Sequence, residues 1–295
     1  MSTNLGKPPD EWRNHSTKHP LAAARLKQGD LKRLYRLIND KQFEYRDRFM
    51  PVLVQQSNET SQQFQDRQTR VYKSFVTSAT IATSSGVMLT GNEEAFLDPV
   101  SLPENIRSVL FSTRSPLLPL GLTPACSIVL FLDFTLPPPF DFTRLPTLAT
   151  QNESNFEIAA DNESWFASSN AGLVEFFKNR TRHTNWLHGG GTYDALLFLL
   201  GVPLALWFEY HLAQWVEPIA AWPSFIKFAF YVYTFLLALN LFRIFFSYSR
   251  WVFPKVELET DRPSSPFRHR TIWGLFLVPV VAALIYDVIK LLPFP

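Results

Sequence analysis

The chain has 295 residues, of which 46% are hydrophobic, 15% aromatic and 18% charged, and its formal net charge is +2. This composition excludes a disordered chain, which combines low hydrophobicity with high net charge. It also gives no sign of nucleic-acid binding, which requires a concentrated basic face. The single cysteine, Cys126, excludes an internal disulfide, and its apolar surroundings in the sequence are typical of a buried small side chain.

Residues 1–20 are predicted to be a flexible tail. They are polar and contain no apolar run of the kind that a signal peptide needs, so we expect no export of the domain that follows.

Residues 21–70 are predicted to form an amphipathic helical segment, because apolar residues recur there at intervals of three, four and seven. Pro51 should break or kink it, since proline lacks an amide donor. A narrow stripe with a seven-residue repeat suggests a self-association seam, although Lys41 and Arg48 interrupt the partner positions. The alternative is a helix that lies on its own domain.

Residues 71–182 are predicted to form a soluble α+β domain. The pattern there changes to period two, which is typical of strands. We expect a hairpin around Ser84, Ser85 and Gly86, a central buried strand over residues 125–134, and a helix that begins at Asp161 or Asn162. Further strands are expected over residues 105–112 and around Phe156 and Ile158.

Three apolar stretches follow, over residues 193–216, 222–248 and 272–292. A bilayer core about 30 Å thick requires about 20 helical residues, and a spanning segment must satisfy its own backbone. The predicted fold is therefore an α+β cytoplasmic domain with an N-terminal helical segment, followed by a three-helix transmembrane region over residues 193–292. The first stretch could instead be an interfacial or re-entrant helix, because Glu209 and His211 interrupt it.

Basic residues set the predicted orientation, since cytoplasmic loops carry an excess of Lys and Arg. The short link over residues 217–223 has none, whereas basic residues precede the first stretch and fill the connection over residues 250–270. We therefore expect a multi-pass protein of the inner (plasma) membrane with a cytoplasmic N-terminus and an external C-terminus.

The junction over residues 183–192 contains Gly189, Gly190 and Gly191, which we interpret as a hinge between the soluble domain and the helices. A phosphate-binding loop would need a preceding strand and a following Lys-Ser/Thr pair, and neither is present. The sequence indicates no cofactor and no metal site.

Two groups of polar residues fall within the predicted spans, where ionisable side chains are costly and commonly functional. The outer group, or membrane polar cluster, comprises Glu209, His211, Lys227 and Asp287. The inner polar level comprises Asp194, Asn240 and Arg243. The alternative is that each long side chain reaches the membrane interface independently.

Three segments carry a resemblance: residues 162–177, the run WLHGGGTYDALLFLLGVPLALW that begins at Trp186, and RWVFPKVELE from Arg250 onward. Together they are similar to a group of uncharacterised bacterial membrane proteins that pair a small α+β domain with C-terminal membrane helices. The resemblance implies a bacterial inner-membrane setting, and it implies nothing about a substrate.

No catalytic signature occurs, so no catalytic residue is assigned, although an enzyme without a local motif stays open. The favoured hypothesis is a homo-oligomer in which the cytoplasmic domain senses a ligand or protein and controls a channel-like or membrane-disrupting bundle, as in bacterial defence effectors. That layout is an analogy between architectures. The alternative is a membrane-anchored interaction or scaffold module without transport activity.

Overall fold

A computed structural model of the chain describes residues 15–140, 146–215, 222–260, 266, 269–275 and 286. The chain divides into two compact units. Unit 1 consists of Met1–Thr135, Asn152–Arg182 and Val256–Thr260, and unit 2 consists of Leu136–Gln151, His183–Lys255 and Asp261–Pro295. The chain therefore passes from one unit to the other five times, after residues 135, 151, 182, 255 and 260.

Unit 1 is built on a sheet of six antiparallel strands, which confirms the predicted α+β class. The strands are β1 (His15–Pro20), β3 (Ser78–Thr83), β4 (Met88–Gly91), β5 (Ile106–Ser112), β6 (Ser127–Asp133) and β7 (Asn155–Ala160). Their order is β1-β7-β6-β5-β3-β4. The expected central strand is β6, whose Ile128, Leu130 and Leu132 are buried. The expected hairpin joins β3 to β4, and Gly86 takes the left-handed conformation (φ 85°) that its turn requires.

Three helices complete this unit: α1 (Gln28–Phe49), α2 (Ser61–Ser74) and α3 (Glu163–Lys178). The side chain of Asn162 accepts a hydrogen bond of 2.8 Å from the amide of Trp165, so the predicted start of α3 is confirmed. The α-helix α1 ends before Pro51, and the chain continues as a short 3-10 turn over Met50–Val52. Proline at this position therefore breaks the helix, as expected.

The N-terminal predictions need correction in two places. The end of the expected flexible tail, His15–Pro20, is strand β1, which pairs with β7. The expected helical segment begins with a strand, β2 (Ala24–Lys27), and contains separate helices. Short polar strands such as β1 give little signal in sequence, because their stability comes from a partner far along the chain.

The proposed self-association seam on α1 is also wrong. The stripe residues Leu31, Leu34, Tyr35, Ile38 and Tyr45 are all buried in the core of unit 1. The apolar stripe is therefore used within the domain, as the alternative interpretation stated.

A second, two-stranded sheet joins β2 to β8 (Val256–Glu259) in parallel. This strand lies in the connection over residues 250–270, which was predicted to be a cytoplasmic loop between two spans; it is a strand, and residues 256–260 belong to unit 1. Conversely, Leu136–Gln151, predicted in the soluble domain, belongs to unit 2. The pairing of β2 with β8 is non-local, and a single sequence contains no direct sign of it.

Among its described residues, unit 2 contains two helices long and apolar enough to cross a membrane, Thr192–Gln214 and Ser224–Val252. The first comprises α4 (Thr192–Leu196), a π-helical turn (Leu197–Gly201) and α5 (Val202–Trp215), and the second is α6. Only 11% and 6% of their most apolar windows are buried within the protein. These are therefore not core helices, whose apolar residues would be mostly buried.

These helices correspond to the first two predicted spans. Most of the third, residues 272–292, lies outside the described residues; within it, residues 272–275 are helical. The two observed helices approach closely at Gly201, where an added Cβ would come within 2.9 Å of the ring of Phe242 on α6. A larger residue at this position would therefore force a neighbouring side chain, Leu197 or Phe242, to shift.

Candidate functional site

Glu209 is the polar residue of α5 with the least favourable surroundings. Its side chain is half-buried, and both carboxylate oxygens are shielded from solvent with no hydrogen-bond partner among the described residues. Burying a charged group without a compensating donor costs free energy. An ionisable residue of this kind, in a helix apolar enough to cross a membrane, is a candidate for a functional site.

Lys227 and His211, the other members of the membrane polar cluster that the structure describes, lie in separate surroundings. Lys227 is half-buried in the first turn of α6, and Glu209 makes no hydrogen bond to it. The ring of His211 packs edge-on against Trp207, with 4.4 Å between the ring centroids. Asp287 lies outside the described residues. At a rise of about 1.5 Å per residue, Glu209 lies about 9 Å from the end of α5 and Lys227 about 5 Å from the start of α6.

One residue of the inner polar level, Asp194, forms a hydrogen bond within unit 2. The carboxylate of Asp194 accepts a hydrogen bond of 3.1 Å from the hydroxyl of Thr147. Arg243 is half-buried on α6, and Asn240 is exposed. Next to Asp194, the ring of Tyr193 packs against Phe246 of α6, with 5.3 Å between the centroids.

Arg250, near the C-terminal end of α6, donates hydrogen bonds to three backbone carbonyls, two of which lie in the glycine-rich junction. Its guanidinium donates to the carbonyls of Leu187 (3.0 Å), Leu148 (2.9 Å) and Gly189 (3.3 Å). The side chain is buried and lies over the ring of Phe246. The planar fork of arginine suits several acceptors at once, so this one residue ties α6 to two segments of unit 2. We call Arg250 and these three carbonyl groups the arginine anchor.

The predicted glycine hinge lies at this anchor. Gly191 begins α4 in the left-handed conformation (φ 76°), and its amide donates to the carbonyl of Thr147 at 2.9 Å. Gly189 is bonded to Arg250. The hinge stays a prediction, with the added condition that motion there must break these hydrogen bonds.

Sequence reasoning missed Arg250 as a functional candidate. In the sequence, Arg250 is only one of several basic residues that set the predicted orientation. An arginine at the end of an apolar helix is a common interfacial anchor, and nothing local in the sequence shows which carbonyl groups it reaches.

The pair β2–β8 forms a second candidate region, within unit 1. Only three residues, Phe253, Pro254 and Lys255, separate the end of α6 from β8. Glu257 of β8 is buried and accepts a hydrogen bond of 2.9 Å from Arg182. Across the pair, Arg25 of β2 bonds to Glu259 at 2.9 Å. Ion pairs thus reinforce the strand that follows α6.

Asp30, at the start of α1, extends this charged region. Its carboxylate accepts hydrogen bonds from Arg180 (2.6 Å) and from the amide of Lys27 (2.9 Å). Burial by itself would raise the pKa of Asp30, but these two donors and the positive charges of Arg180 and Arg33 hold the pKa below its ordinary value. Asp30 therefore stays ionised inside the fold.

Lys255 lies between the end of α6 and the start of β8. Burial lowers the pKa of its ammonium group below the ordinary value.

Cys126 has the properties of a structural residue. It is buried, and its thiol donates to the carboxylate of Asp161 at 3.0 Å. Burial, assisted by Asp161, raises the pKa of Cys126 to about 12. A thiol with this pKa stays protonated near neutral pH and is a poor nucleophile. Within the part of the chain that the structure describes, no three His, Cys, Asp or Glu side chains are grouped so that they could hold a metal ion.

Comparison with protein-family models, with curated proteins and with solved structures gives no match. No family is therefore assigned, and the functional argument depends on the geometry of this chain.

Proposed function

We propose that this chain is an integral membrane protein in which the α+β unit controls a bundle of membrane helices with channel-like or membrane-disrupting activity. The observation that carries the proposal is Glu209, a shielded carboxylate in an apolar helix that has no hydrogen-bond partner in the part of the chain that the structure describes. A helix that only anchored a domain would not need such a group, which is costly in a bilayer.

Covalent connectivity supports control of the helices by unit 1. The helix α6 leads into β8 through three residues, and β8 is paired with β2 and held by ion pairs. A rearrangement of β2–β8 would act directly on the end of α6. The trigger in this proposal is a ligand or protein that binds the α+β unit. The distribution of basic residues supports a cytoplasmic position of that unit, and the resemblance described above implies a bacterial cell.

The second candidate function is a membrane-anchored interaction module without transport. It is favoured by the separate surroundings of Glu209 and Lys227, which share no hydrogen bond. In this case the polar side chains reach the membrane interface individually, and the α+β unit alone carries the activity.

Ion flux distinguishes the two functions. The purified full chain is reconstituted into vesicles loaded with a fluorescent ion indicator, and the Glu209→Gln chain is compared with wild type. We expect flux from the wild type and a clear change in flux for Glu209→Gln, with equal insertion and abundance. Glu153→Gln, which changes an exposed carboxylate of unit 1, should behave as wild type. Silent wild-type vesicles would overturn the proposal and favour the anchor. Equal flux from the wild-type and Glu209→Gln chains would retain transport and overturn the role of Glu209.

A further inference from the structure

The two edges of the six-stranded sheet differ in how they are protected. The outer strands are β1 and β4, and within the described residues neither has a partner on its outer side. The strand β1 carries Lys18 and ends in Pro20, two features that discourage the addition of another strand. The strand β4 has neither, and no charged residue occurs from Ser84 to Asn92.

The side chains of the β4 edge are also apolar and exposed. The exposed fractions are 51% for Val87, 71% for Met88 and 39% for Leu89. An exposed apolar edge strand without a charge is a template for pairing with another strand. We call Val87, Met88, Leu89 and Thr90 the β4 edge.

The hairpin register shows which backbone groups of β4 are available. Leu89 lies opposite Ile81, and the amide of Thr83 donates to the carbonyl of Val87. Because hydrogen-bonded and non-hydrogen-bonded pairs alternate in an antiparallel ladder, Leu89 is bonded within the hairpin. The amide and carbonyl groups of Met88 and Thr90 therefore point outward, away from β3.

We propose that β4 pairs with β4 of a second copy of this chain, antiparallel across a two-fold axis at Leu89. This register places Met88 of each copy opposite Thr90 of the other, so that all four outward groups on each strand are paired. It also places the two Leu89 side chains against each other. Residues close to a two-fold axis lie near their own copies. The uncharged β4 edge therefore meets no like-charge repulsion there, whereas Lys18 on β1 would.

This inference deepens the proposed function, because the sequence favoured a homo-oligomer as the form that builds the membrane bundle. The β4 edge would supply the contact between its copies. It replaces the seam on α1, whose apolar residues are buried in unit 1. It does not depend on conduction by the helices, so its test is separate from the flux measurement.

Disulfide cross-linking tests the register. In membranes that contain the full Leu89→Cys chain, mild oxidation should produce a disulfide-linked dimer that a reducing agent reverses, since directly opposite Cβ atoms lie about 4.5–5.5 Å apart. The native Cys126 is buried and does not interfere. The matched control is Ser16→Cys on the exposed edge of β1, which should stay monomeric. Equal cross-linking of the two chains would overturn the proposal.

A proline variant tests the backbone pairing. Thr90→Pro removes an outward amide and spares the backbone hydrogen bonds of the hairpin, a position at which an edge strand tolerates proline. It also removes the exposed hydrogen bond of 3.1 Å between the hydroxyls of Thr90 and Thr80, so Thr90→Ala, which removes only that bond, is the matched control. In the Leu89→Cys chain we expect Thr90→Pro to remove most of the cross-linked dimer at the same Tm as the Thr90→Ala chain. Unchanged cross-linking at an unchanged Tm would overturn the pairing. Cross-linking together with silent vesicles would retain the β4 contact and remove the proposed function.

Discussion

At the scale of single residues, local chemistry in the sequence predicted several structural roles. Asn162 caps α3 and Gly86 forms the turn between β3 and β4, because each effect depends on a few neighbouring atoms. Asp30 and Arg250 were not identified, since their partners lie far away in the sequence. Arg180, for example, is separated from Asp30 by 150 residues.

Asp30 should make the stability of the protein dependent on pH. We expect Asp30→Asn to lower the free energy of unfolding by about 1.5–3 kcal/mol near neutral pH, because the hydrogen bond from Arg180 loses its charged acceptor. The pKa of Asp30 is lowered in the folded state. The contribution of its charge is therefore full above the ordinary pKa of about 3.9 and is lost as the pH falls through the folded-state pKa.

Denaturant unfolding of both chains in detergent, at neutral pH and below about pH 4, measures this difference. The difference should shrink at the lower pH. Arg33→Ala is the control, because the Arg33 side chain is 71% exposed and lies 3.7 Å from the same carboxylate; exposed pairs contribute about 1 kcal/mol or less. A difference between wild type and Asp30→Asn that persists at low pH would contradict the assigned charge interaction.

At the scale of elements, the strength of a local pattern decided which predictions succeeded. The strand β6 and the two membrane-length helices were predicted because their apolar runs are long and distinctive. The strand β1 is polar and β8 has only four residues, and each is formed by pairing with a distant segment, with β7 and β2 respectively.

The arginine anchor should control the mobility of the glycine-rich junction. We expect Arg250→Ala to increase amide hydrogen exchange over residues 146–151 and 186–191, because three carbonyl acceptors lose their donor. Arg250→Lys should give a smaller increase, since a single ammonium group lacks the planar fork.

Hydrogen exchange with mass spectrometry of the full chain in detergent measures both variants. Arg48→Ala, which removes an exposed arginine of α1, should leave these segments unchanged. If exchange at the junction were the same in wild type and Arg250→Ala, the anchor would not restrain the glycines.

At the scale of the whole molecule, the chain crosses between the two units five times, after residues 135, 151, 182, 255 and 260. The predicted hinge at Gly189–Gly191 lies within unit 2 and is not one of these crossings. The proposed coupling of unit 1 to the membrane helices uses the crossing after residue 255, where α6 is followed by β8.

The predicted orientation is tested with a reporter enzyme that is active only in the cytoplasm. A fusion after Arg262 should be active, and a fusion in the link over residues 217–223 should be silent, because basic residues surround only the first position. The reverse pattern would place unit 1 on the outer side. Equal expression of the two fusions is the control.

The sequence by itself determined the α+β class of unit 1, its hairpin and central strand, and two helices of membrane length. These features depend on periodicity, length and turn chemistry, which are local. Only the tertiary structure decided that the α1 stripe is core, that β8 pairs with β2, and that Arg250 binds three carbonyl groups. Each of these contacts joins segments that are distant in the sequence. A residue is therefore buried, or meets its partner, only when the chain has folded.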